Sequence, residues 1–238
     1  MEARERAMKT IGIVGGTGPE STVDYYRLLI AAYRERVPDG SYPPIVINSI
    51  DLKKVTDFLA ANELAGLAEL LVREVQTLVR AGAEIGLVAA NTPHIVFDEV
   101  ARQSPIPLVS IVEATCAEAN RLGLKKLGLF GTRYTMQGRF YPDVFSRARI
   151  TLVIPAPDEQ TYIHEKYMGE LVPGIFLNET RKELLAIVER MRKTEAIEGV
   201  ILAGTELPLL LRDAKVSAAP FLDTARIHVK AILERAFA

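Results

Sequence analysis

Three segments of the chain recur once each, in the same order and at nearly the same distance, and this repetition narrows the fold more than any other feature. "KTIGIVGG" from Lys9 aligns with "KKLGLFGT" from Lys125, 116 residues on, and the register continues to Tyr25 and Tyr141. "EIGLVAANT" from Glu84 aligns with "EGVILAGTE" from Glu198, an offset of 114 that pairs Ala90 with Gly204. "IPLVSIVE" from Ile106 aligns with "APFLDTAR" from Ala219, an offset of 113. Generic composition does not produce three ordered matches at a near-constant offset, so the chain reads as two similarly folded halves.

Each half alternates apolar, strand-like runs with amphipathic segments. The runs are "KTIGIVG", "PIVINSI", "IGLVAA", "PLVSIV", "KLGLFG", "TLVIPA", "GVILAG" and "PFLD". Between them, 64–80 and 179–192 carry apolar residues at i, i+3, i+4 and i+7, the spacing of one helix face. Alternation of this kind predicts parallel strands, because the returning crossover is a helix lying on the sheet. The expected fold is α/β, with two pseudo-symmetric Rossmann-like domains and an active-site cleft between them. The expected first domain is 8–105 with 212–238, the tail packing back on it, and the second is 106–211.

Composition excludes several classes of function. Of 238 residues 49% are hydrophobic and 25% charged, the balance of an ordinary globular protein. The 29 basic and 30 acidic residues nearly cancel and form no long run of one sign, so neither nucleic acid nor a membrane surface is an expected partner. No apolar run approaches the roughly 18 residues of a membrane span, and the charged start has no signal-peptide core, which predicts a cytoplasmic protein. One cysteine cannot form an intramolecular disulfide, and three histidines without paired spacing predict no metal site. Cys116 itself reads as a small buried helix residue.

The polar loops that follow the first and third strand of each half are where an open α/β sheet places its chemistry. "IVGGTGPEST" offers Gly16, Thr17 and Gly18 ahead of Pro19, a residue favoured at the first helical position. Backbone N–H groups at such a start attract a carboxylate or phosphate; a plain strand-to-helix turn is the alternative. The glycine spacing matches a dinucleotide fingerprint only loosely, with Asp51 as a distant ribose ligand. The matching loop, "GTRYTMQG", supplies Thr132, Arg133 and Thr135 instead of glycines. That suits a small polar ligand better than a long cofactor. "NTPH" adds Asn91, Thr92 and His94, and "GTE" adds Thr205 and Glu206. Asn and Thr are common helix caps too. Their occurrence at matched places in both halves favours ligand contact.

Together "MKTIGIVGGTGPEST", "ANTPH", "LGLFGTRYTMQGRFY", "GTELPLLL" and "FLDTARIH" resemble the aspartate/glutamate racemase family, in particular its broad-specificity amino-acid racemases that need no pyridoxal phosphate. The resemblance covers the chain from Met8 to its end. It implies a homodimer, no cofactor, and an amino-acid substrate, with an acidic one such as aspartate or glutamate expected first. In such racemases a cysteine, or in some members threonine or serine, stands before "NT", and a second cysteine stands before "TE". One base removes the Cα proton and its partner returns a proton to the opposite face. Here those catalytic places hold Ala90 and Gly204, neither of which can carry a proton.

Two readings stay open. In one the protein is an isomerase with altered chemistry, using His94 and Glu206 as the nearest titratable groups and Thr92 or Thr205 as relays. In the other it binds a small carboxylate or amino acid without turnover. Ala90 and Gly204 are expected to leave room for a sulfur, with Gly204 a candidate for positive φ. A helix over 155–171, capped by Asp158, is expected to present Lys166, four residues after Tyr162. The resemblance makes Lys166 and Arg133 candidates for the substrate's distal carboxylate, with Lys53 a weaker one; a solvated helix face is the alternative for Lys166.

Overall fold

The computed structural model describes residues 8–212 and 220–238. All eight apolar runs are strands: β1 Ile11–Gly15, β2 Ile45–Ser49, β3 Ile85–Val88, β4 Leu108–Val109, β5 Lys126–Gly131, β6 Thr151–Val153, β7 Gly199–Ala203 and β8 Phe221–Asp223. They form two four-stranded sheets of the same topology, β2-β1-β3-β4 and β6-β5-β7-β8. Every pairing is parallel. The fold class is the expected one.

The central strands β1, β3 and β7 are buried along their whole length. A strand covered on both faces must be apolar throughout, which is why these segments lack period-two alternation. The outer strands β2 and β6 are only partly buried. The helix Leu64–Arg80 has the bounds its periodicity predicts and buries Leu67, Leu71, Val75 and Leu78 along one stripe. The second long helix, Asn178–Glu195, extends a little beyond the predicted 179–192 at both ends.

The duplication reaches individual hydrogen bonds. In the first sheet the Glu84 carboxylate accepts from the N–H of Thr10 at 2.8 Å. In the second the Glu198 carboxylate accepts from Lys125 at 2.5 Å and Lys126 at 3.2 Å. Each glutamate satisfies backbone donors at the start of its sheet's central strand.

Two compact units emerge, and each is discontinuous in sequence. The first contains the described residues up to Ala89, with Val96–Ser110 and His228–Ala238; the second contains Ala90–Ile95 and the described part of Ile111–Ile227. Pairing of β8 with β7 puts Phe221–Asp223 in the second sheet, although the sequence reading gave all of 212–238 to the first half. Residues 213–219, including Ala219 of the third repeat match, lie outside the described residues. The helix Thr224–Ala236 reaches the first unit from His228 onward. There His228 is fully buried, its Nδ1 accepting from the Tyr25 hydroxyl at 2.9 Å and its Nε2–H donating to the Val109 carbonyl at 2.8 Å.

The core of the second unit has two apolar clusters. One joins Phe130, Ile163, Tyr167, Leu184, Val188 and Leu202; the other joins Ile111, Leu129, Tyr141, Phe145, Ile201 and Leu222. Cys116 belongs to the latter, and burial pushes its thiol up from the ordinary value, with Glu113 adding a smaller push. Asp51 is a helix cap rather than a ribose ligand: its side chain accepts from the Lys53 N–H at 2.8 Å. Asp158 lies inside the first turn of Pro157–Lys166, and Glu159 instead accepts from the Ala156 N–H at 2.9 Å.

Candidate functional site

Within the first unit the loop Gly16–Gly18 follows β1. Gly16 has φ +83°, and a Cβ there would lie 2.2 Å from the Ile50 carbonyl oxygen, so only glycine lets the two loops approach. The Gly16 N–H donates to the Thr22 hydroxyl at 2.8 Å, which in turn donates to the Gly18 carbonyl at 3.1 Å. That donor is used within the loop. Gly18 provides no side-chain cap for the helix Pro19–Arg36 that follows. Thr17 is buried, and its hydroxyl has no hydrogen-bond partner among the described residues. A buried hydroxyl without a partner costs free energy, which makes Thr17 the ligand-contact candidate of this loop.

The second unit holds Asn91, Thr92, His94, Thr132, Arg133, Thr135, Lys166, Thr205 and Glu206, while Lys53 lies in the first. Gly131 pairs with Ala203 across β5 and β7, so Thr132 and Gly204 leave neighbouring strand ends. Thr92 lies in the 3-10 turn Thr92–Val96 that follows "AAN". Its hydroxyl is 2.9 Å from that of Thr132 and 3.1 Å from that of Thr135, which are themselves 3.2 Å apart. Three hydroxyls thus meet at one point. Each brings one donor and two acceptor sites, so the cluster can turn toward a carboxylate or an ammonium group.

Asn91 is held on both sides of its amide. Its Oδ1 accepts from the Tyr141 hydroxyl at 2.6 Å, and its Nδ2 donates to Thr224 Oγ1 at 3.2 Å. Thr224 Oγ1 donates onward to the Leu202 carbonyl at 2.8 Å. Full burial holds the Tyr141 phenol well above its ordinary pKa, so it remains a donor.

His94 is buried and engaged by backbone at both ring nitrogens. Nδ1–H donates to the Ala90 carbonyl at 2.8 Å, and Nε2 accepts from the Ile111 N–H at 3.2 Å. A ring that donates from one nitrogen and accepts at the other is neutral imidazole. It orients the turn after Ala90.

Around Gly204 the expectation of free space fails. A Cβ on Gly204 would lie 2.4 Å from Cε2 and 3.0 Å from Cζ of Tyr167, so that ring already fills the place of a residue-204 side chain. Gly204 is also absent from the glycines with positive φ. The obstacle is packing, not backbone. Tyr167 opens the π-helical turn Tyr167–Leu171, and its hydroxyl donates to Glu206 Oε2. The same oxygen accepts from Thr205 Oγ1 at 3.1 Å, and Glu206 is fully buried. Burial first, and the Glu206 charge second, raise Tyr167 well above the ordinary phenol range.

The distal cations are less uniform. Lys166 pairs with Glu170, whose other oxygen accepts from the Thr180 hydroxyl, and Lys166 Nζ sits 5.8 Å from the centre of the Tyr162 ring. The hydrogen bond with Glu170 raises Lys166 above its ordinary pKa and lowers Glu170. Arg133 is exposed, and its backbone N–H donates to His164 Nδ1 at 3.2 Å. Burial first, and the Arg133 charge second, lower His164 below the usual histidine value. Lys53 is exposed and paired with Asp57 at 2.6 Å. Tyr141, His164, Tyr167 and Thr224 were not singled out as site residues from sequence. Only Tyr141 carried a signal, its register with Tyr25.

Among the described residues there is no group of three or more His, Cys, Asp or Glu side chains placed to hold a metal, and no helix long and apolar enough to cross a membrane.

Comparison with known proteins gives these residues a context. A model of the Asp/Glu/Hydantoin racemase family matches residues 14–232. The crystal structure of an aspartate racemase homologue from Pyrococcus horikoshii OT3 is 37% identical and superposes with a TM-score of 0.83, covering 97% of this chain and all of that one. The Picrophilus torridus aspartate racemase shares the fold at 22% identity, with a TM-score of 0.73 over 96% of this chain and 94% of that one. The broad specificity amino-acid racemase RacX of Bacillus subtilis (strain 168) is 28% identical over 143 residues, which span 56% of this chain and 59% of that protein.

Proposed function

Because the chain belongs to the Asp/Glu/Hydantoin racemase family, we propose that it is a racemase-type isomerase acting on a small amino acid, aspartate or glutamate first, without pyridoxal phosphate. Family membership over nearly the whole chain is the observation that carries this reading. The polar side chains of the loops support the binding half of the reaction. In the second unit Thr92, Thr132 and Thr135 pool three hydroxyls and Asn91 is fixed by Tyr141 and Thr224; in the first, Thr17 keeps a buried hydroxyl without a partner among the described residues. The chemistry differs from the two-thiol pattern, since Ala90 and Gly204 offer no acid or base. We infer a homodimer, as the family resemblance implies.

A second reading, a binding protein for a small carboxylate without turnover, is favoured by those same two residues. Chiral chromatography of single-enantiomer amino acids incubated with the protein separates the two. Appearance of the opposite enantiomer, or exchange of the α-proton with solvent, supports the isomerase; a heat of binding with neither supports the binder.

A further inference from the structure

The carboxyl end of β7 holds a buried acid with a phenol bonded to it. Glu206 is fully buried, where an isolated carboxylate would be costly, and it receives hydrogen bonds from Tyr167 and Thr205. The loop at a strand's carboxyl end is where an open α/β sheet places its ligands, and burial with the Glu206 charge raises Tyr167 well above the ordinary phenol range. Tyr167 is brought there by a π-helical turn, a rare geometry that recurs at functional sites. Its ring occupies the side-chain volume of position 204. Beside Ala90, the imidazole of His94 donates to the Ala90 carbonyl and accepts from the Ile111 N–H.

Resting on the isomerase reading above, we propose that Tyr167 and Glu206 form a one-sided acid–base pair at the Cα of the bound amino acid. Glu206 begins as a carboxylate and Tyr167 as a phenol. The Cα–H bond breaks, and its electron pair passes into the substrate carboxylate as an enediolate. The proton goes to the Tyr167 oxygen while the phenol's own proton moves to Glu206 Oε2. Reversal returns a proton to the same face. Ala90 supplies no base from its own place, so solvent exchange at Cα outruns inversion.

The test is incubation of aspartate, glutamate and the other common amino acids with the protein in D₂O. The α-proton is followed by NMR, configuration by chiral chromatography and binding by saturation transfer. Loss of the α-proton signal with configuration kept, at least about tenfold faster than inversion, is the expected result for the native protein. Tyr167→Phe and Glu206→Gln should each slow exchange by about 10²-fold or more, the lower range for losing general acid–base catalysis, with the amino acid still bound. Inversion that keeps pace with exchange overturns the proposal, as does undiminished exchange in folded Tyr167→Phe. Binding without any exchange overturns it while leaving the choice of ligand standing. Absence of binding by every amino acid overturns both. The native measurement decides even where a variant fails to fold.

Discussion

Tyr167 and Gly204, 37 residues apart in sequence, share one side-chain volume: the ring of the first occupies the space a Cβ on the second would need, with 2.4 Å to the nearest ring carbon. Reinstating a thiol at position 204 is therefore not a matter of filling an empty place. Gly204→Cys should destabilise the protein by about 1 to 3 kcal/mol through overpacking. Paired with Tyr167→Ala, it should cost clearly less than the two changes added together, because the second opens the volume the first demands. Urea unfolding of the four members of the cycle measures this. Full additivity would show that the ring yields without cost.

Thr17 allows stability and binding to be separated. Its buried hydroxyl has no partner among the described residues, so Thr17→Val should leave stability unchanged or raise it by up to about 1 kcal/mol. If the hydroxyl serves a carboxylate ligand, the same change should weaken binding of that ligand by about tenfold. Calorimetric titration and thermal melting on one sample read both. Lower stability with unchanged affinity would assign Thr17 to the loop alone.

Asn91 and Tyr141 should behave as a coupled pair. Asn91→Ala leaves the buried Tyr141 hydroxyl without its 2.6 Å acceptor and should cost about 1 to 3 kcal/mol. In the background of Tyr141→Phe the same substitution should cost less, since no orphaned hydroxyl remains. Denaturant melts of the single and double variants check the difference.

His228 makes stability depend on pH with a definite sign. Burial lowers its folded pKa to about 4, against 6.5 as the unperturbed value, despite the favourable bond to Val109. Above about pH 6.5 the ring is neutral whether the chain is folded or not, and it imposes no penalty. As pH falls toward 4 the unfolded chain takes up a proton that the native state refuses, which removes up to about 3 kcal/mol. The melting temperature should fall between pH 7 and pH 4, and His228→Gln should flatten that slope. An unchanged slope would assign the acid sensitivity to other groups.

The strands were legible because burial on both faces leaves no room for polar residues, so β1, β3, β5 and β7 appear as unbroken apolar runs. The helix Leu64–Arg80 was legible from its single apolar stripe. The hydroxyl cluster was partly legible: the repeat drew attention to Thr92, Thr132 and Thr135, but their meeting at one point depends on tertiary geometry. Tyr167 was hidden, since "HEKYMGEL" reads as an ordinary continuing helix and nothing local predicts a π-helical turn. Lys166 shows the opposite case. Its partner Glu170 stands four residues on, a spacing visible in the sequence and characteristic of a helical ion pair.

The passage of the chain between its two units bears on how such a protein can be divided. After β4 the helix Ile111–Arg121 belongs to the second unit, and after β8 the chain from His228 belongs to the first. A fragment ending at Ser110 would keep Tyr25 and lose its histidine partner. No single cleavage of the backbone leaves either unit with all of its segments. Split-gene complementation, with both fragments made together, is the form in which this architecture can be taken apart.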